Sequence, residues 1–228
     1  MKECALKYFI LFHGSNLQTV TVLRQAWLEK IRAILVFNKM DRLITELKLT
    51  PLEAHAHLMK LLEQVNAVTG TFFAGDRMAD DYKWRETHEK KEENGNSSTD
   101  AESEYEEKED EDIYFAPEKG NVVFSSALDG WAFTIDAFAA MFEKRLGVKH
   151  ETLTKFLWGD FYLDPKTKRV LGAKHLKGRN LRPMFVEFIL NNIWAVYDST
   201  IIKKYVAIEL RMLIFIGIPK KLKKLSRR

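Results

Sequence analysis

The chain has 228 residues, of which 46% are hydrophobic and 30% are charged, and its formal net charge is +4. This length is sufficient for one large domain with a hydrophobic core, or for one domain and a small module. The single cysteine, Cys4, excludes an internal disulfide framework and is typical of a cytoplasmic protein in a reducing compartment.

The amino-terminal part of the chain alternates between apolar runs and an amphipathic segment. The apolar run at residues 5–12 is too short for a secretory signal, and Lys7 interrupts it. A β-strand is predicted there instead. Residues 22–30 have the spacing of a short amphipathic helix, and residues 31–37 predict a buried strand. This alternation is typical of an α/β fold.

The segment Asn38-Lys39-Met40-Asp41 follows the second predicted strand at its carboxyl end, where nucleotides bind in open α/β sheets. The order N-K-x-D is the pattern with which GTP-binding proteins select guanine. The Asp41 carboxylate can accept hydrogen bonds from guanine N1–H and the 2-amino group, and adenine offers no such pair of donors. Asn38 can hold the neighbouring loop and approach N7, and the methylenes of Lys39 can lie along the base.

Residues 50–70 are predicted to form a helix that ends at its last residue, a glycine. Thr50 provides an N-cap, Glu53 completes a capping box, and apolar residues recur at helical spacing. His55 and His57 lie in this helix, but two residues apart they point to different faces and cannot bind one metal ion. They are therefore expected to be solvated surface histidines.

Residues 75–112 differ in composition from the rest of the chain. They contain few apolar side chains, and nearly every other residue between 100 and 112 is acidic. Dense like charge with little apolar surface cannot offset the entropy lost on ordering, so a disordered acidic insertion is predicted. It is interpreted as a solvated spacer, and Ca²⁺ binding or contact with basic proteins are the alternatives.

A second apolar strand, residues 121–124, leads into the turn S-S-A-L-D-G-W. In guanine-nucleotide domains a small S-A-x turn follows the next strand, and its backbone N–H groups reach guanine O6. Small residues are needed because the backbone itself must approach the ring. Ser126, Ala127 and Leu128 are therefore candidate base-contacting residues. The alternative is a plain connection to a helix, with Asp129 near the helix cap.

The remaining predicted elements are two helices and a hairpin. The aromatic residues Phe133, Phe138 and Phe142 are interpreted as the core face of one helix. Residues 157–170 predict a β-hairpin with a proline-containing turn, and residues 185–198 predict the last helix.

Residues 201–228 form a separate carboxyl-terminal region in this interpretation. The apolar run at residues 206–218 contains Glu209 and Arg211 and is too short to span a bilayer. Six of the last nine residues are basic, so this end could bind RNA phosphates or an anionic membrane surface. An unstructured, solvated end is equally compatible with the composition, and no membrane partner is expected.

Several segments in combination resemble the GTP-binding domain of the elongation factor two-like translational GTPases. Some of them resemble in particular the cytoplasmic elongation-factor-like GTPases that mature the large ribosomal subunit. The resemblance covers roughly residues 18–200. Its segments are Q-T at 18–19, V-L-R-Q-A-W at 22–27, N-K-M-D-R-L at 38–43, D-G-W-A-F at 129–133, L-W-G-D-F-Y at 157–162 and P-M-F-V-E-F-I-L-N-N-I-W at 183–194.

This resemblance implies a P-loop-type GTPase domain over residues 1–200 that binds GTP and Mg²⁺. Its guanine contacts would come from Asn38, Lys39 and Asp41 and from residues 126–128. The implied partners are the large ribosomal subunit and the Shwachman–Diamond syndrome protein. The implied reaction is a GTP hydrolysis that releases an anti-association factor from that subunit.

Two motifs that such a GTPase needs do not occur before Asn38. They are the phosphate loop G-x-x-x-x-G-K-[ST] and the metal-binding D-x-x-G. The chain is therefore expected to be the carboxyl half of a GTPase domain, with guanine contacts but without Mg²⁺ ligands or catalytic residues. Unmatched residues at both ends suggest a truncated or aberrantly assembled reading frame. The alternative function is a non-enzymatic fragment that contacts ribosomal RNA or protein.

Overall fold

The computed structural model describes residues 6–10, 17–93, 113–165, 169–176 and 179–203. Within these ranges the chain forms a mixed sheet in the order β1-β2-β3-β4 and a separate hairpin, β5-β6. The strands are β1 (Leu6–Ile10), β2 (Ala33–Phe37), β3 (Val122–Ser126), β4 (Trp131–Phe133), β5 (Phe161–Leu163) and β6 (Val170–Gly172). The helices are α1 (Leu17–Leu28), α2 (Met40–Thr45), α3 (Pro51–Glu93), α4 (Ile135–Leu146), α5 (His150–Leu157) and α6 (Asn191–Lys203). A π-helical turn, Val186–Leu190, leads directly into α6.

Strands β2 and β3, each of which was predicted from its apolar sequence, run parallel at the centre of the sheet. Leu35 lies opposite Val122, and Phe37 lies opposite Phe124. β1 pairs in parallel with the other side of β2, whereas β4 returns antiparallel to β3. Because parallel neighbours end at the same edge of a sheet, the segments that follow β2 and β3 meet there.

An aromatic cluster joins the sheet to the helices that cover it. Phe124 is fully buried, and its ring lies 5.3 to 5.6 Å from the rings of Phe37, Phe133, Trp158 and Phe185. Aromatic pairs at these separations stabilise a core beyond the burial of their area. The cluster connects β2, β3 and β4 to the segments that follow α5 and precede α6.

The capping box predicted at the start of α3 is confirmed. The Thr50 backbone N–H donates to Glu53 Oε2 at 2.8 Å, and the Glu53 N–H donates to Thr50 Oγ1 at 3.3 Å. The backbone hydrogen bond from Thr50 is the main reason why the pKa of the Glu53 carboxyl is lowered. The reciprocal bonds satisfy two of the N–H groups that a helix start leaves without partners.

Helix α3 does not end at Gly70, so that prediction is wrong. The helix has 43 residues, and Gly70 lies in its interior. A Cβ at this position would lie 3.4 Å from the Tyr114 hydroxyl, which packs against the helix there. The glycine therefore lies within the helix beside Tyr114 and does not end it.

The predicted disordered insertion at 75–112 is wrong for residues 75–93, which continue α3. These residues carry charges of both signs and include many good helix formers, whereas the dense acidic run begins only at residue 100. Trp27 of α1 supports this part of the helix by donating a hydrogen bond to Asp76 at 2.8 Å. Residues 94–112 lie outside the described residues.

The predicted helix around Phe133 begins later than expected. Phe133 lies in β4, and α4 begins at Ile135. The turn between β3 and β4 contains Gly130 with φ of 72°, a left-handed conformation that favours glycine. A tight reversal therefore places Phe133 on a strand beside Phe124, where it still contributes to the core.

The hairpin and the last helix are confirmed with shifted boundaries. Residues 157–158 belong to the end of α5 and its connection, and only Phe161–Leu163 and Val170–Gly172 pair as strands. The last helix continues past residue 198 to Lys203. None of the helices in the described part of the chain is long and apolar enough to cross a membrane. The rest of the carboxyl-terminal region, residues 204–228, lies outside that part.

His55 is buried rather than solvated, so that prediction is wrong, whereas His57 is half-buried. The His55 ring lies 5.4 Å from both Trp158 and Phe185, and its Nε2 has no hydrogen-bond partner among the described residues. Position 55 lies three residues before Leu58, on the face of α3 that contacts the core. Burial lowers the pKa of the His55 imidazole, and the Asp160 carboxylate opposes that shift.

We expect His55 to make the folded state less stable as the pH falls. Its folded pKa lies below the ordinary value of about 6.5, so the unfolded chain binds the proton first. The contribution of neutral His55 to the free energy of unfolding is complete above pH ~6.5. It is lost as the pH falls from there through the folded pKa. Between the two pKa values the free energy of unfolding should change by at most about 1.4 kcal/mol per pH unit.

Urea unfolding between pH 5 and 8 measures this dependence. His55→Phe or His55→Leu should flatten the part of the profile below pH ~6.5. The exposed His175 provides the matched control, because His175→Gln should leave the profile unchanged. If both His55 variants keep the pH dependence of the wild-type free energy of unfolding, His55 is not the cause of that dependence.

Candidate functional site

The segments that follow β2 and β3 are connected by the side chain of Asn38. Its Oδ1 accepts hydrogen bonds from the backbone N–H of Lys39 at 2.8 Å and of Ala127 at 3.0 Å. The Ser125 hydroxyl donates to the same oxygen at 3.3 Å. One amide oxygen therefore joins two loops that are 89 residues apart in the sequence.

Lys39 turns the chain from β2 into α2. Its φ of 65° and ψ of 36° are left-handed, a conformation that costs a residue with a side chain about 1–2 kcal/mol. The hydrogen bond from its N–H to Asn38 supports this turn. As a result, Asp41 lies in the first turn of α2 and is 6% exposed.

The buried Asp41 carboxylate contacts the other loop directly. Ser126 Oγ lies 2.9 Å from Asp41 Oδ1, and the Ser126 side chain is completely buried. Among the described residues, no other donor forms a hydrogen bond with the Asp41 carboxylate. A carboxylate has about four acceptor positions, so most of its capacity is left for other donors.

The structure thus brings most of the candidate site residues into one place. Asn38, Lys39 and Asp41 meet Ser126 and Ala127 at the edge of the sheet. The Leu128 side chain is 84% exposed at the tip of the turn. The contacts of all these residues with a guanine base remain a prediction.

A hydrogen-bond network that the sequence did not predict supports this site from α6. Tyr197 donates to Asp129 Oδ2, and Trp131 Nε1 donates to Tyr197 Oη at 3.0 Å. Asp129 N–H lies 3.2 Å from Ser126 Oγ, and Asp129 Oδ2 lies 3.0 Å from it. Asp129 therefore does not cap a helix, and Thr134 occupies the N-cap position of α4.

The environment of Tyr197 keeps its hydroxyl protonated. Burial is the largest cause that raises its pKa, and the hydrogen bond to Asp129 adds to the shift. A protonated hydroxyl can donate to Asp129 throughout the physiological pH range. The sequence contained Asp129 in a recognisable turn, but a tyrosine 68 residues away carried no local signal of this contact.

The described residues contain no group of three or more His, Cys, Asp or Glu side chains that could hold a metal ion. The site therefore consists of one buried carboxylate, an amide, two serine hydroxyls and the backbone of a turn. This donor and acceptor set suits a planar polar ligand with adjacent N–H groups.

Comparison with known proteins agrees with the resemblance found in the sequence. The family model described as the elongation factor Tu GTP binding domain matches residues 3–193. This range includes both loops of the site and the first residues of α6, and it ends before Tyr197.

The chain is also similar to curated proteins of fungi and mammals. It is 58% identical over 186 residues to ribosome assembly protein 1 of Schizosaccharomyces pombe, covering 81% of this chain and 16% of the relative. The protein of the same name from Saccharomyces cerevisiae is 54% identical over 184 residues, with 81% and 16% covered. Elongation factor-like GTPase 1 of Homo sapiens is 47% identical over 189 residues, with 82% and 17% covered. The chain therefore spans about one sixth of the length of these relatives.

We expect Asn38→Ala to loosen the two loops, because three donors lose their common acceptor. The free energy of unfolding should fall by about 1–3 kcal/mol, and hydrogen exchange at the Ala127 amide should accelerate. Asn38→Asp is the matched control, because it keeps an oxygen at the Oδ1 position and should retain most of the protection. Equal protection of Ala127 in wild type and Asn38→Ala would show that this contact does not hold the turn.

Proposed function

Because this chain belongs to the family of elongation factor Tu GTP-binding domains, we propose that its two loops recognise the guanine base of GTP. The observation that carries the proposal is the buried Asp41 carboxylate, which Ser126 holds through Oδ1 at 2.9 Å. The chain would act as part of a translational-type GTPase in ribosome assembly.

The proposed selectivity follows from the cost of leaving a buried carboxylate without donors. Guanine presents N1–H and the 2-amino group side by side, and both can donate to Asp41. Adenine presents an acceptor at N1 and no amino group at C2. A buried group that loses its hydrogen bonds costs about 1–3 kcal/mol, and more when it is charged.

The turn after β3 supplies the donor proposed for guanine O6. Its Ala127 N–H donates to Asn38 and its Asp129 N–H donates to Ser126. The Leu128 N–H lies between them in the sequence and is proposed as the donor to guanine O6. Lys39 is half-buried beside Asp41, and its methylenes are proposed to cover one face of the base.

The proposal for the cellular role reaches beyond this site. Residues 1–200 would form part of a P-loop-type GTPase domain that takes GTP with Mg²⁺. Residues 94–112 would form a solvated acidic insertion, and the basic end of residues 201–228 would contact RNA. The names of the two fungal relatives support a role in ribosome assembly, which they state for those proteins.

At the level of the whole protein, we propose a cytoplasmic GTPase on the large ribosomal subunit. Its partner would be the Shwachman–Diamond syndrome protein, and GTP hydrolysis would release an anti-association factor. Co-sedimentation of the chain with purified large subunits tests the ribosome contact. Replacement of the six basic residues in 220–228 by glutamine separates a contribution of the basic end from one of the folded part.

We expect the chain to prefer GDP to ADP, with affinity in the millimolar range because base contacts act without a phosphate loop. Asp41→Ala should remove the preference. Asp41→Asn should favour xanthosine diphosphate, because the side-chain amide can donate to the C2 carbonyl of xanthine and accept from its N1–H. NMR titrations with the three nucleotides measure these affinities. Equal binding of GDP and ADP by the wild-type chain would overturn the proposal.

We also expect no GTP turnover by this 228-residue chain alone. Phosphoryl transfer depends on backbone amides, a lysine and Mg²⁺ positioned around the β- and γ-phosphates. The sequence contains neither G-x-x-x-x-G-K-[ST] nor D-x-x-G. Radiolabelled GTP with Mg²⁺, with and without large ribosomal subunits, should show no release of phosphate beyond that of matched samples without the chain. Hydrolysis that depends on Asp41 would contradict this expectation.

A further inference from the structure

The Ser126 hydroxyl lies between two carboxylates. Its Oγ is 2.9 Å from Asp41 Oδ1 and 3.0 Å from Asp129 Oδ2. A serine hydroxyl has one proton, so it can donate to only one of the two at a time. The direction of this proton decides whether Asp41 is held by a donor or faces an oxygen lone pair.

We propose that Tyr197 of α6 is a positioning residue, which directs the Ser126 proton to Asp41 and thereby fixes the carboxylate for guanine. The inference rests on the proposed function for its consequence but not for its geometry. Tyr197 is 8% exposed, and it contacts the site through the exposed Asp129 and through the side chain of Ser126. It therefore acts through other residues rather than on the ligand.

The direction of each proton follows from the contacts around Tyr197. The indole Nε1–H of Trp131 can only donate, and it points to Tyr197 Oη at 3.0 Å. Tyr197 accepts there, so its own proton is directed to Asp129 Oδ2. Since Asp129 already has this donor, it competes less for the proton of Ser126.

The remaining contacts of Ser126 are consistent with this arrangement. Its Oγ accepts from the Asp129 N–H at 3.2 Å and donates to Asp41 Oδ1. Each hydrogen in the network then has one acceptor, from the Trp131 indole to the Asp41 carboxylate. Hydrogen-bond networks orient their members when every group is satisfied, and in this one Ser126, Trp131 and Tyr197 are buried whereas Asp129 is exposed.

Removal of the Tyr197 hydroxyl should reverse the Ser126 proton. In Tyr197→Phe, Asp129 Oδ2 loses its donor and draws the proton away from Asp41. The Asp41 carboxylate then loses its anchor, and the pair of donors on guanine meets it in the wrong orientation. Phenylalanine keeps the ring in the core, so packing is preserved.

The test compares Tyr197→Phe with Tyr162→Phe, which removes the hydroxyl of a half-buried tyrosine in β5. GDP affinity should fall about three- to tenfold in Tyr197→Phe, the loss expected for one hydrogen bond. ADP affinity should not change. Affinity for inosine diphosphate, which lacks the 2-amino group, should fall less than GDP affinity. Tyr162→Phe should behave like wild type.

A rescue variant separates positioning from a structural role. Asp129→Asn removes the charge that competes for the Ser126 proton, so the double variant with Tyr197→Phe should recover guanine affinity. A merely structural tyrosine would not be rescued in this way. Failure of the double variant to recover, or an unchanged GDP affinity in Tyr197→Phe, would overturn the inference.

Two resonances of the ligand-free chain decide the geometry independently of nucleotide binding. In Tyr197→Phe, the Trp131 indole proton should shift and exchange faster, and the Asp41 carboxyl ¹³C resonance should shift. The carboxyl resonance should return in the double variant. If wild type shows no guanine preference but these shifts occur, the proposed function fails and the positioning contact stands. If the Asp41 resonance does not respond, the positioning inference fails.

Discussion

The parallel pairing of β2 with β3 is the constraint on which the site depends. With Phe37 opposite Phe124, both strands run towards the same edge of the sheet, and β3 continues to Ser126. Asn38 then lies within reach of Ala127, and Asp41 within reach of Ser126. A shift of this register by one residue would turn every side chain of a strand to the opposite face and separate the two loops.

Burial makes these polar contacts consequential. Ser126 is completely buried and Asp41 nearly so, and polar groups in such places destabilise a fold unless they are hydrogen-bonded. The contacts of Asn38, Ser126 and Asp129 meet this requirement without occupying all acceptor positions of Asp41. The same arrangement that stabilises the two loops therefore leaves a carboxylate ready for a ligand with two adjacent donors.

The aromatic core determines how distant parts of the chain support the loops. Phe124 contacts Trp158 and Phe185, which hold α5 and the start of α6 against the sheet. Because α6 is fixed in this way, Tyr197 can reach Asp129 from 68 residues further along the chain. His55 lies in the same core, and its Nε2 has no hydrogen-bond partner in the described part of the chain, so core packing and protonation of His55 are connected.

The sequence by itself determined the central strands at 31–37 and 121–124, the capping box at Thr50 and the candidate residues at 38–41 and 126–128, because local patterns encode these features, whereas α2, β4 and α5 were not predicted. Only the tertiary structure decided the continuation of α3 beyond Gly70, the burial of His55 and the network from Tyr197 to Asp41. The burial of His55 and the hydrogen bonds of Tyr197 depend on neighbours that are distant in sequence, such as Trp158 and Trp131. Local propensity carries no information about such neighbours, so tertiary packing overrides it.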